Sequence, residues 1–248
     1  MKRFYTLTAI AGLMIFQSCT KNSTDDTGGD QGPQTVTDPF ANCRVTEIAR
    51  HNFATNYLEY DAQRRLVRYH YDDYDRKFTY SGNTIDIDSR HKGDPFMKYK
   101  ITVNQNGLAA KVRSEPQTNA YWREDVYEYD GTRVVKRTET GHNITSPRVY
   151  VYQWLDGNMV AEVAPGNKIT KYTYDTNEAA QPADYLRLDT HNGYIIVKNK
   201  NRVKSITNQN GDTFTASYSE DANGLIKSVT VKTPSNTTYT ENYKYNCN

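Results

Sequence analysis

The sequence predicts an all-β protein, an antiparallel meander of tyrosine-rich hairpin repeats curled into a closed or nearly closed, soluble, barrel-like sheet. Three observations predict it. A Tyr-x-Tyr pattern recurs, turn signals that contain glycine follow at regular spacing, and no window of about 12 residues places its apolar residues at helical period. Each hairpin would supply two strands and lead through a return connection into the next.

The Tyr-x-Tyr pattern marks the strands. A spacing of two residues places both rings on one face of a strand. The pairs are Tyr69/Tyr71, Tyr127/Tyr129, Tyr150/Tyr152, Tyr172/Tyr174 and Tyr243/Tyr245, with Phe78/Tyr80 as a variant.

Glycines mark the turns. Gly82, Gly107, Gly131 and Gly157 lie 25, 24 and 26 residues apart. Asp130-Gly131 and Asp156-Gly157 predict two-residue hairpin turns in which both residues have positive φ. Asn210-Gly211 and Asn223-Gly224 predict further turns, and residues 177–184 predict a long loop or one helical turn that interrupts the series.

Residues 1–18 have the features of a secretory signal, with Lys2 and Arg3 ahead of a short apolar stretch. The segment ends Phe16-Gln17-Ser18-Cys19 and resembles the lipobox of bacterial lipoproteins. That resemblance implies cleavage before Cys19, lipidation of Cys19 and anchoring in the bilayer of the outer membrane, on its periplasmic or extracellular face. The alternative is an ordinary signal peptide followed by a chance cysteine.

The composition predicts a polar tether and one β domain. Residues 19–40 are rich in Thr, Asp, Gly, Gln and Pro, so we expect a flexible tether with a reach of roughly 25 Å, followed by the domain at 41–248. Without Lys2 and Arg3, 29 basic and 29 acidic side chains remain, spread along the chain. This distribution gives no indication of nucleic-acid binding. No motif indicates a cofactor.

Two cysteines remain for the folded domain. Cys43 opens it and Cys247 is the penultimate residue. An oxidising compartment permits a disulfide between them, which predicts neighbouring terminal strands. The alternative is two unpaired buried thiols.

Some segments resemble known families. Tyr60-Asp61-Ala62-Gln63-Arg64-Arg65-Leu66 is similar to the core of YD (RHS-type) repeats, with Arg64 at the usual glycine, and Asp221-Ala222-Asn223-Gly224-Leu225 resembles the same turn. The layout of lipobox, tether, tyrosine-rich hairpins and a final cysteine resembles gut-bacterial lipoproteins of unknown function. That resemblance implies a porin-like β fold over residues 43–248.

The aromatic rows are the candidate ligand platform: Tyr121, Trp122, Tyr127, Tyr129, Tyr150, Tyr152, Trp154, Tyr172 and Tyr174. Exposed rows of Tyr and Trp could stack on sugar rings. With so little Leu and Ile, the same rings could instead form the core. Tyr121, Trp122 and Trp154 flank predicted loops and are the best candidates for exposed rings.

No catalytic or metal-binding set stands out. The five histidines lie in no metal-ligand spacing, and Asp72-Asp73-Tyr74-Asp75 has the pattern of a solvated turn. Carboxylates such as Asp125, Glu128, Asp130, Asp156 and Glu162 fit ordinary cross-strand ion pairs. Three hypotheses follow: a non-enzymatic module that binds an extracellular glycan or protein, a polysaccharide hydrolase, or a passive structural or adhesive β-repeat.

Overall fold

Every strand in the described part of the chain pairs with two antiparallel neighbours, and the series closes on itself. The computed structural model describes residues 42–50, 53–118, 120–184 and 193–247, all of which belong to one compact unit, Asp38–Asn248. The strands are β1 (Cys43–Arg50), β2 (Asn56–Tyr60), β3 (Leu66–Tyr71), β4 (Tyr74–Ser81), β5 (Thr84–His91), β6 (Asp94–Val103), β7 (Ala109–Pro116), β8 (Arg123–Asp130), β9 (Arg133–Gly141), β10 (Arg148–Leu155), β11 (Asn158–Ala164), β12 (Lys168–Ala179), β13 (Asn201–Thr207), β14 (Thr213–Glu220), β15 (Ile226–Lys232) and β16 (Thr238–Cys247). The predicted all-β meander is confirmed as a closed barrel.

The first and last strands form the seam of the barrel. β1 pairs with β16 in a register that places Cys43 directly opposite Cys247. The two Cα atoms are 4.1 Å apart and the sulfurs are bonded. The predicted disulfide is confirmed, and it holds the two strands that close the barrel.

The barrel has two distinct ends. We call the end that carries Cys43 and Cys247 the disulfide end. It also carries the turns that follow the even-numbered strands, including those at Gly82, Gly107, Gly131 and Gly157. The opposite end, which we call the distal end, carries the connections that follow the odd-numbered strands. All four predicted glycine turns therefore lie at one end.

One of the two predicted Asp-Gly turns is confirmed, and the other is shifted by one residue. Asp156 and Gly157 occupy the two central positions of their turn and have φ of 49° and 83°, as predicted. Asp130, however, ends β8 opposite Arg133, so the central residues of that turn are Gly131 and Thr132. Gly131 takes the positive φ of 60° at the first central position, which type II′ turns reserve for glycine.

A second turn type uses an Asp or Asn side chain. The Oδ1 atom of Asp221 accepts hydrogen bonds from the backbone N–H groups of Asn223 and Leu225, at 2.8 and 3.0 Å. Asn104 and Asn208 make the same pair of bonds in their own turns. The fourth residue is glycine in these three turns. Arg64 occupies that position after Asp61 and adopts a left-handed φ of 64°, so the loss of glycine does not change the backbone path.

The two walls of the barrel differ in chemistry. Buried residues alternate along the strands and form one interior cluster that includes Val45, Phe78, Ile101 and Val229. Charged pairs link neighbouring strands on the other face: Lys111 to Glu124 at 2.9 Å and Lys136 to Glu128 at 2.7 Å, with further pairs Lys244–Glu47 and Arg68–Asp75. Between β12 and β16 that face carries paired hydroxyls, including Thr173–Ser205, Ser219–Ser228 and Thr230–Thr240.

One connection fills the interior at the disulfide end. The chain leaves β12 at Ala179, and residues 193–200, which we call the plug, return across the barrel. Tyr194, Ile196 and Val197 pack against the interior cluster, and the N–H of Ala109 donates to the carbonyl of Ile195 at 2.8 Å. Gly193 has a φ of 72°, and a Cβ there would meet the ring of Phe78 at 2.6 Å. The predicted interruption at residues 177–184 is thus confirmed in part, because residues 177–179 still belong to β12 and the connection begins only after Ala179.

The signal segment, Cys19 and the tether lie outside the described residues. The described part of the chain contains no helix that is both long and apolar enough to cross a membrane.

Loss of the disulfide should weaken the barrel. We expect the double substitution Cys43→Ser with Cys247→Ser to lower the free energy of unfolding by about 2–5 kcal/mol, because the bridge closes nearly the whole chain in the unfolded state. Urea denaturation of the oxidised protein and the variant measures the difference. The oxidised protein treated with a reductant is the matched control and should match the variant. Equal unfolding midpoints for all three would contradict the prediction.

Candidate functional site: an interior layer of tyrosines and charges

The inward positions near the disulfide end carry a ring of hydroxyl-to-carbonyl hydrogen bonds. On seven of the eight even-numbered strands, the last inward aromatic residue donates a hydrogen bond to a buried carbonyl. The acceptor is always within the first three residues of the preceding odd-numbered strand. The pairs are Tyr60 to Val45 (2.8 Å), Tyr80 to Leu66 (2.9 Å), Tyr129 to Ala109 (2.8 Å), Trp154 Nε1 to Val134 (2.7 Å), Tyr174 to Met159 (2.5 Å), Tyr218 to Val203 (2.6 Å) and Tyr245 to Ile226 (2.8 Å).

We call these seven rings the tyrosine belt. On the remaining even strand, β6, the corresponding inward residue is Val103, which has no hydroxyl. Buried carbonyls need hydrogen-bond donors, and a buried phenol needs an acceptor, so each pair satisfies both partners. The belt gives a structural role to the second aromatic residue of most Tyr-x-Tyr pairs.

The nine residues of the candidate platform fall into three groups. Tyr129, Trp154 and Tyr174 belong to the belt. Tyr127, Tyr150, Tyr152 and Tyr172 also face the interior, nearer the distal end. Tyr121 and Trp122 lie in the β7–β8 connection, where Tyr121 is 50% exposed and Trp122 lies under the guanidinium of Arg113 at 4.7 Å.

Two details of the predicted arrangement are wrong. Trp154 faces inward and packs against the core, although its place beside a turn predicted an exposed ring. The period of two predicts tyrosine rows that line one continuous face of adjacent strands. The rows do share one face, which is the interior, but they lie on β8, β10 and β12, which are alternate strands rather than neighbours. β9 and β11 lie between them, and their inward positions carry charged residues.

Arg137 lies at the centre of this layer. It is on β9, directly opposite Tyr127 of β8 and Tyr150 of β10. Its guanidinium carbon is 3.7 Å from the centre of the Tyr150 ring, which is close cation–π contact. The nearest carboxylates, Asp125 and Glu162, lie 3.8 and 3.9 Å away, beyond hydrogen-bond distance. Its Nε atom is buried and has no hydrogen-bond partner among the described residues.

Asp125 and Glu139 are the two carboxylates of this interior layer that lie nearest the distal end, and groups other than Arg137 hold them. Asp125 accepts a hydrogen bond from Arg123 at 3.1 Å. Glu139, only 4% exposed, accepts one from the hydroxyl of Tyr150 at 2.8 Å and forms ion pairs with Arg123 and Arg148. Asp125 and Glu139 therefore have a structural role, because their ion pairs and hydrogen bonds orient Arg123 and Tyr150.

Glu162 differs from those two carboxylates. It lies on β11 opposite Tyr152 and retains 25% exposure of its side chain. Burial raises its pKa above the ordinary value, while Arg137 acts in the opposite direction. Burial lowers the pKa of Arg137, but Tyr152, Glu162, Asp125 and other neighbours outweigh it, so Arg137 stays charged.

Three tyrosines complete the layer. Tyr127 and Tyr152 are each 8% exposed, and burial raises the pKa of Tyr127, Tyr152 and Tyr172. Unlike the belt rings, their hydroxyls make no hydrogen bond within the described part of the chain. We call Tyr127, Arg137, Tyr152, Glu162 and Tyr172 the chamber.

The sequence did not reveal the charged members of the chamber. The sequence pattern predicts an ordinary cross-strand pair for Glu162 and assigns no role to Arg137, and the inward direction of both follows only once the bulges in β8–β9 and β10–β11 are known. Elsewhere, Asp75 of the acidic run 72–75 pairs with Arg68. No group of metal-ligating side chains is present among the described residues.

Comparison with known proteins agrees with the barrel. A porin-like protein from Bacteroides uniformis ATCC 8492 matches with a TM-score of 0.60 at 14% sequence identity, over 82% of this chain and 95% of that one. A porin-like protein from Bacteroides vulgatus ATCC 8482 matches with a TM-score of 0.58 at 16% identity, over 82% and 99%. The chain shares the fold of these porin-like proteins. No protein-family model and no curated protein matches the sequence.

This shared fold agrees with the porin-like β fold implied by the sequence resemblance. At these identities the similarity concerns the path of the chain and no further property. The function of this barrel therefore depends on its own side chains.

Removing one belt hydroxyl should destabilise the protein. We expect Tyr245→Phe to lower the free energy of unfolding by about 1–3 kcal/mol, because the carbonyl of Ile226 stays buried without its donor. Chemical denaturation measures the change. Tyr57→Phe removes a hydroxyl from a ring that is 44% exposed and should leave stability nearly unchanged. Equal effects of the two substitutions would count against the belt.

The belt also predicts sensitivity to alkali. Burial raises the pKa of Tyr60 and of Tyr80 from 10.0 to about 12, because the phenolate is poorly solvated. Only the unfolded chain releases these protons between the two values, so their stabilisation is complete below about pH 10 and is lost as the pH approaches about 12. Denaturation at a series of alkaline pH values should show this fall. A constant stability up to about pH 12 would contradict it.

Proposed function

We propose that this protein is a lipid-anchored barrel of the outer membrane that stands outside the bilayer and binds an extracellular glycan or protein without catalysing a reaction. The observation that carries the proposal is the polarity of the two walls. Most of its aromatic rings face inward, and charged pairs such as Lys111–Glu124 and Lys136–Glu128 link the strands on the outer wall.

A barrel that spans a membrane needs the opposite arrangement. Its outer wall must present an apolar band about 25 Å tall, flanked by aromatic girdles. Here Val126, Val149, Val151 and Ile169 do face outward at 40–45% exposure, but Lys136 and Glu128 lie in the same cross-strand rows. These apolar residues are too few and too interrupted to form that band.

Strand length leads to the same proposal. Twelve of the sixteen strands have fewer than nine residues, and the exceptions are β6, β9, β12 and β16, with 10, 9, 12 and 10 residues. The shortest strands, β2 and β3, have five and six residues, which at about 3.3 Å per residue gives lengths of about 17 and 20 Å before any tilt. Strands that cross a bilayer contain about 9–11 residues. Strands this short and polar support a barrel that stands in water.

The chain begins the barrel at the disulfide end, where Cys43 pairs with Cys247. The chamber lies on the other side of the plug and belt, toward the distal end. It therefore lies at the end of the barrel opposite to the point where the chain enters it.

A second candidate function, a polysaccharide hydrolase, has one observation in its favour. Asp125 and Glu162 flank Arg137, and burial raises the pKa of Glu162 as a general acid requires. Both oxygens of Asp125 accept hydrogen bonds from Arg123, however, so the position of Asp125 is accounted for by an ion pair that stabilises the barrel. Binding is the better supported function.

Anchoring can be tested through Cys19. We expect Cys19→Ala to abolish labelling by radioactive palmitate and to release the protein from the membrane fraction. The released protein should stay in solution without detergent, because the outer wall is polar. The double variant Cys43→Ser with Cys247→Ser, which keeps Cys19, should remain labelled. Retention of Cys19→Ala in membranes, or a need for detergent, would refute the proposal that only the lipid holds the barrel there.

A further inference from the structure

We propose that the chamber is a binding site for the terminal one or two sugar units of a neutral glycan, which enters the barrel from the distal end. This inference rests on the proposed function and assigns both its ligand class and its site.

The exposed fractions of the inward side chains indicate the route into the chamber. At the rim, the side chains of Arg148 and Arg123 are 54% and 48% exposed. Glu162 and Arg137, deeper in the barrel, retain 25% and 18%, and Tyr152 is 8% exposed. Because all five face the interior, this gradient describes a recess that narrows from the distal end.

The recess is closed on its other side. Beyond Tyr127 and Tyr152 lie the belt residues Tyr129 and Trp154, which are bonded to backbone carbonyls, and the plug residue Tyr194 approaches Tyr127. A polymer cannot pass through such a recess. It admits only the end of a chain.

Several polar groups of the chamber make no hydrogen bond among the described residues. The Nε atom of Arg137 is buried without a partner, whereas the hydroxyls of Tyr127, Tyr152 and Tyr172 have no protein partner and are not among the buried atoms. Accessible hydroxyls that converge beside a charged pair can bind a ligand with several hydrogen-bonding atoms of its own.

The charges select a neutral ligand. An anion near Arg137 would also face Asp125 and Glu162, each within 4 Å of that guanidinium. A cation near Glu162 would face Arg137. A sugar hydroxyl both donates and accepts, so a vicinal diol can accept from Arg137 and donate to Glu162 without net charge, while the tyrosine rings pack on the sugar ring.

A matched pair of substitutions tests the chamber. We would use the chain from residue 19 onward with Cys19→Ala, and measure binding on an array of neutral and acidic oligosaccharides, followed by calorimetry with the best neutral binder. Tyr152→Phe and Glu162→Gln should each weaken binding by about fivefold or more. Tyr174→Phe removes the same atom from a belt ring and should retain the affinity, although it lowers thermal stability.

Each outcome of the binding experiment tests either the chamber as the binding site or glycan binding as the function. Binding of a neutral glycan that is lost in Tyr152→Phe and Glu162→Gln but kept in Tyr174→Phe supports the chamber. Binding that is unchanged in both chamber variants, with all variants folded by circular dichroism, overturns the chamber and leaves the glycan-binding function standing. Binding only to acidic glycans overturns the neutral ligand class. No binding to any oligosaccharide overturns the inference together with the glycan part of the proposed function, whereas anchoring is judged by the Cys19 experiment alone. Hydrolysis of the bound glycan would overturn the non-catalytic proposal while keeping the chamber.

Discussion

The hydrogen bond from an inward aromatic ring to a buried carbonyl is the interaction on which this barrel depends. A sheet of sixteen strands encloses more space than the few Leu, Ile and Val residues of this chain can fill. Tyrosine fills it with a long ring, but only if the hydroxyl finds an acceptor inside. The belt supplies that acceptor at a fixed place on seven hairpins, and the disulfide then closes the seam at the same end. Packing and hydrogen bonding are thus satisfied by the same side chains.

This solution divides the interior into two parts. At the disulfide end the rings are bonded and the plug residue Ile196 packs beside them, so the barrel is filled. Toward the distal end the same two-residue period continues, but Arg137 and Glu162 occupy the inward positions between Tyr127, Tyr152 and Tyr172. The hydroxyls of these three tyrosines make no hydrogen bond among the described residues, and Arg137 and Glu162 face each other at 3.9 Å, beyond hydrogen-bond distance. The belt rings stabilise the fold, so the side chains of the chamber are available to bind a ligand.

The fold could be predicted from the sequence because its signals are local. Period-two tyrosines and turn glycines specify strands and hairpins, and Cys43 and Cys247 predict the seam. The candidate site could not be predicted in the same way. Arg137 faces inward because a bulge between Glu128 and Tyr129 changes the register, and sequence alone does not locate bulges. The prediction of an exposed Trp154 is wrong for a related reason. Its indole N–H donates a hydrogen bond to the carbonyl of Val134, which is twenty positions away in the sequence, and only the folded barrel brings the two residues close.

Chemical modification of tyrosine in the membrane-anchored protein is the measurement that tests the inward direction of the rings most directly. Iodination under native conditions, mapped by mass spectrometry, should label Tyr57 and Tyr121, which are 44% and 50% exposed, and should spare the belt residues Tyr174 and Tyr245. After unfolding in urea, all four should react. Rapid native labelling of Tyr174 and Tyr245 at the rate of Tyr121 would show that these rings face outward, and the account of belt and chamber would then be wrong.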